Sequence, residues 1–129
     1  RLLLFADPML TAESAYALGD RRRPQDIALL SPILKRWGLD LQFDDKQPLG
    51  QRDIKVAGGT VRVNLPGRFA LTPGPEYCTL EGRGLIAICA IGEGKVVAVA
   101  DAALLESASN DDVDSRRAML SRLLDKLAG

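Results

Sequence analysis

At 129 residues the chain has the size of one domain, and its 47% hydrophobic and 26% charged residues exclude wholesale disorder. Seventeen basic residues balance seventeen acidic ones, so the basic excess with which nucleic-acid binders displace counterions is missing. Histidine is absent, which excludes Ser-His-Asp and Cys-His catalytic machinery and removes the commonest metal ligand.

With only 5% aromatic residues, the core must be built from Leu, Ile, Val and Ala. Leu2-Leu3-Leu4-Phe5-Ala6 reads as a wholly apolar strand, of the type buried on both faces in α/β proteins, and Asp7-Pro8 ends it. The stretch 12–26 is mixed and polar and reads as a loop with at most a short helix, with Arg21-Arg22-Arg23 as a solvated basic spot beside acidic neighbours. A helix follows through Ile27, Leu30, Ile33, Leu34 and Trp37, closed by Gly38. Pro32 either kinks that helix or sets its start at Ser31. Residues 39–43 alternate as a strand does, and 44–52 are rich in turn formers.

From Asp53 to Asn64 the pattern predicts a hairpin around Gly58-Gly59, pairing Ile54 with Val63 and Lys55 with Arg62. Pro66, Pro73 and Pro75 punctuate a loop-rich stretch with one short strand near 68–71. Strands over 77–80, 85–91 and 95–100 complete two further hairpins, the last arm reading as a buried central strand ended by Asp101. A final helix over 112–128 carries Leu120, Leu123, Leu124 and Leu127 as a stripe, with Met119 beside it. Asp111, Asp112 and Asp114 suit its positive end, and Lys126 its negative end.

Few residue patterns carry chemistry. Gly82-Arg83-Gly84-Leu85-Ile86-Ala87 has the letters of a dinucleotide-binding loop, but that loop must open a helix, and 85–91 reads as a strand. Gly94-Lys95 lacks the earlier glycine and the hydroxyl residue of a P-loop, because Cys89 and Val96 stand in those positions. Asn110, Asp112 and Asp114 resemble the start of a calcium loop, yet the sixth position is not glycine and the twelfth is Ser121. No metal site or cofactor is therefore expected.

Asp7 and Asp101 are the best positional candidates for ligand contact, since each follows a buried strand and ligands gather at the carboxyl ends of parallel strands. Helix capping is the plainer role for both. Cys78 and Cys89 lie in consecutive hairpin arms. A two-residue turn at Arg83-Gly84 would set them face to face for a disulfide, and a longer turn would leave two buried thiols.

Several stretches together resemble a family. Arg1 through Pro8, the segment from Asp26 to Leu41 with Leu34, Trp37 and Gly38, Gly94 through Asp101, and the Leu-rich end from Arg116 to Gly129 look like the extracytoplasmic domain of GldG-like proteins. These are auxiliary components of gliding-motility-type ABC transport systems. The likeness is good at both ends and poor in the middle hairpins. It implies an α/β fold, a mixed central sheet flanked by helices related to class I glutamine amidotransferases (flavodoxin-like), here incomplete and with added β-hairpins. It also implies a periplasmic, non-catalytic binding or interaction module, with other transport subunits as partners and a membrane anchor outside this segment.

A degenerate amidotransferase or hydrolase is the alternative reading. The chain opens on Arg1 without a leader, which suggests a fragment of a longer protein forming one domain over 1–129. Removal of earlier strands would leave the first strand as an open edge, free of Lys and Pro over 2–6 and suited to forming a homodimer.

Overall fold

A computed structural model describes residues 1–9, 15–17, 20–22, 30–106 and 113–129. Most of the polar stretch 12–26, together with Ile27, Asn110, Asp111 and Asp112, lies outside these residues.

The elements run β1 (Leu2–Phe5), α1 (Ser31–Arg36), β2 (Leu39–Phe43), β3 (Gln51–Val56), β4 (Gly59–Asn64), β5 (Gly67–Leu71), β6 (Cys78–Glu81), β7 (Ile86–Ile91), β8 (Gly94–Val99) and α2 (Val113–Ala128), with a 3₁₀ turn at Ala103–Leu105 before α2. Pro32 sits in the first turn of α1, where its missing N–H costs no helical bond, and Gly38 just past the end takes a left-handed φ of 78°.

The α/β expectation is overturned. Eight strands dominate the described residues, only α2 is a long helix, and no helix separates any two strands from β2 to β8. A doubly wound parallel sheet needs a crossover of a dozen or more residues, usually helical, between successive strands. Here β6, β7 and β8 are instead joined by tight turns into an antiparallel meander. The main sheet has the order β1-β8-β7-β6, and only β1 and β8 run parallel. Two smaller antiparallel sheets, β2-β5 and β3-β4, account for the other strands among the described residues.

β8 is the central strand its Val-Val-Ala-Val run suggests, with Val97, Ala98 and Val99 fully buried. β1 is not. It lies at the sheet edge with Leu2 43% exposed, so its apolar composition marks one covered side rather than two. α2 packs across β1, β8 and β4, inserting Met119 and Leu123 among Val61, Val63 and Val97, while Leu124 of the expected stripe stays exposed.

The β3–β4 register also differs from the sequence expectation. Ala57-Gly58 forms the turn, so Ile54 faces Val61 and Asp53 faces Arg62, with an ion pair of 2.7 Å. Shifting by two residues keeps the apolar face inward and replaces like-charge repulsion by attraction.

β5 fastens the small sheets to the large one. The Gly67 N–H donates to the Ala100 carbonyl at 2.8 Å, and the Phe69 N–H to the Gly84 carbonyl at 2.7 Å. A side chain at residue 84 would place its Cβ 2.5 Å from the Phe69 carbonyl oxygen, and the backbone there has φ 86°. Glycine is required on both counts.

Candidate functional site

Two places carry chemistry: a buried carboxyl pair and an open groove. Asp7 and Asp101 follow β1 and β8 directly. Parallel pairing runs from Leu2 beside Val96 to Phe5 beside Val99, and two further steps bring Asp7 beside Asp101. Both are 2% exposed. Asp7 Oδ1 accepts the Met9 N–H at 3.0 Å, and Asp101 Oδ2 accepts the Asn64 N–H at 2.9 Å and the Ala103 N–H at 3.4 Å.

Each carboxyl thus caps the chain leaving its own strand, and Asp101 also holds the β4–β5 turn, where Leu65 takes the left-handed φ of 50°. The other oxygens, Asp7 Oδ2 and Asp101 Oδ1, are buried without a hydrogen-bond partner.

Burial pushes Asp101 up to about 7, helped by the neighbouring charge of Asp7 and opposed by the backbone N–H groups of Asn64, Ala103 and Ala102. Burial likewise raises Asp7, with the charge of Glu106 adding to it and the Met9 and Ala102 N–H groups opposing it. One proton on the pair supplies a donor where two oxygens otherwise have none. No group of three or more His, Cys, Asp or Glu side chains among the described residues is arranged to hold a metal ion.

Cys78 and Cys89 lie opposite each other in the β6–β7 ladder and are joined by a disulfide. The reversal at residues 82–85 has Gly82, Arg83 and Gly84 all at positive φ, the geometry of a hairpin turn. The glycine pattern there serves chain reversal and opens no helix. Cys78 Sγ also lies 3.3 Å from the Trp37 carbonyl oxygen, which places the end of α1 beside the main sheet. Arg22 of the basic spot is exposed, paired with Asp20 at 2.9 Å and stacked 4.3 Å from the Tyr16 ring.

The groove has no counterpart in the sequence reading. It encloses about 880 Å³ between the end of the β2–β5 ribbon, strand β3 and the β6–β7 turn. Arg52, Lys55, Arg68 and Arg83 line it, against the acidic Asp44 and Asp53. Asp53 is occupied by Arg62, and Asp44 Oδ1 accepts the Lys46 N–H at 2.9 Å. Arg52 and Arg68 donate to the neutral side chains of Gln47 at 3.1 Å and Gln42 at 3.4 Å, which keeps both guanidinium charges. Four cations scattered over three elements give no local sequence signal. The nearest hint is Arg83 itself, a long cation between two glycines at a turn.

The class these features define is a small β-rich domain with a buried acid pair and a cationic groove. Compared with protein-family models, with curated proteins and with solved structures, the chain matches none.

Proposed function

We propose that the chain is a non-catalytic binding or interaction module whose binding surface is the groove beside β3. The groove's charge carries this reading: four cations face two acids already engaged within the fold, on a chain whose overall charge is zero. Two further facts agree with it. The sequence has no histidine, and both thiols are joined in the disulfide, so neither a Ser-His nor a Cys-His pair can form.

The resemblance of both chain ends to GldG-like components suggests the partners. They are subunits of an ABC-type transport system on the periplasmic side of the inner membrane, with the parent protein anchored by segments outside this chain. Because the fold implied by that resemblance is corrected above, the reading rests first on the groove and second on the terminal stretches.

Site-specific photo-crosslinking in cells tests it, with the reactive residue placed at the uncharged groove positions Gln42 or Phe43 and, as a control, at Arg117 on α2. Adducts with a permease or ATPase subunit from the groove positions, absent from the control, are the expected outcome. Groove positions that give no adduct, or hydrolase or glutaminase turnover abolished by one substitution, would overturn the proposal.

A further inference from the structure

Successive side chains of a strand point to opposite faces, so consecutive residues can line one groove only along an edge of the strand. Residues 52–55 of β3 all line the groove, and β4 occupies the other edge of β3. The groove therefore runs beside main-chain N–H and C=O groups that no strand pairs among the described residues. Lys55 projects on the exposed side of β3, whereas Arg52 and Ile54 lie on the half-buried side.

Arg83 adds an independent observation. Its φ of 57° falls in the left-handed region, where the side chain of any residue but glycine or asparagine is disfavoured, and both neighbours are glycines. The guanidinium is exposed and makes no hydrogen bond or ion pair among the described residues, so no contact there offsets that backbone cost. A cation held at such a position, beside an open strand edge, suits a ligand that brings both negative charge and a peptide backbone.

We propose that the groove binds an extended acidic peptide segment, added as a strand to the open edge of β3 with its carboxylates against Lys55 and Arg83. The proposal rests on the reading of the chain as a binding module and names the ligand class of that same surface. Main-chain pairing supplies the affinity, and acidic residues at alternate positions supply the specificity. A nucleic acid or a sulfated sugar matches the cations and leaves the strand edge unused.

Fluorescence anisotropy with a short labelled peptide alternating Glu and Thr tests this. Three comparison probes accompany it: the same peptide with Gln for Glu, one N-methylated at alternate amides, and a single-stranded oligonucleotide. The Glu peptide should bind, and affinity should fall roughly tenfold or more for each comparison probe. Arg83→Gly should cause a similar loss while keeping an equal or higher Tm, because it removes the cation and relieves the backbone together. Equal binding of the N-methylated peptide, tighter binding of the oligonucleotide, or unchanged affinity in Arg83→Gly overturns the proposal. Absence of peptide binding beside persistent groove crosslinks in cells removes only the ligand class, whereas absence of both removes the binding-module reading as well.

Discussion

Asp101 is ionised in an unfolded chain above its ordinary value of 3.8, but its burial in the fold moves that transition up to about 7. Between those values the folded chain holds a proton that the unfolded chain has released, so the stability this group contributes is fully present below 3.8, declines as pH rises from there and is lost by about 7. Asp101→Asn keeps an acceptor for the Asn64 N–H and supplies an uncharged NH₂ near the partnerless Asp7 oxygen. This variant should be more stable than the parent by up to a few kcal/mol at about pH 8 and nearly equal to it at about pH 3, below the ordinary value of the carboxyl. Urea unfolding at the two pH values measures the difference. A variant weaker than the parent at both would show that the carboxylate itself is needed. Both aspartates were legible in the sequence, because each ends an apolar strand. Their adjacency was not, since it depends on a parallel register between residues more than ninety positions apart.

The elements themselves were largely legible: β2, β5, β7, β8 and α2 fall within a few residues of where hydrophobic period and turn residues put them. Pairing was harder to read. Leu2–Phe5 has the composition of a central strand, but α2 covers one side of an edge strand well enough to require the same residues. In β3–β4, two adjacent glycines allow more than one turn, and the Asp53–Arg62 attraction agrees with the register found. The β6–β7 turn left less choice, with Gly82 and Gly84 flanking the reversal. Its disulfide closes a loop of separation 11, for which chain entropy sets a ceiling of about 3 kcal/mol. The ladder already confines the two strands, so Cys78→Ala with Cys89→Ala should cost about 2–3 kcal/mol and leave the native strands in place. Guanidinium unfolding gives the number, and two titratable thiols in the unfolded, unreduced parent would remove its basis.

At the scale of the whole molecule, the open edge of β1 remains, paired only with β8 among the described residues. The Ala6 N–H donates to the Val99 carbonyl at 2.7 Å, so by alternation the N–H groups of Leu3 and Phe5 point away from β8 toward the free edge. No Lys or Pro interrupts residues 2–6, Leu2 is 43% exposed, and a net charge of zero puts no overall repulsion between copies. A two-fold axis beside this edge would pair β1 with β1 of a second copy in antiparallel fashion and extend the sheet across both. The chain is therefore expected to self-associate, and light scattering at low micromolar concentration should report about twice its 13.9 kDa mass. Leu3→Pro removes an outward N–H while sparing the bonds to β8, and it should return the protein to a monomer with its circular dichroism preserved. A parent chain that is monomeric at 13.9 kDa would show that this edge is covered within a single molecule. A dimer that survives Leu3→Pro would place the interface elsewhere, away from β1.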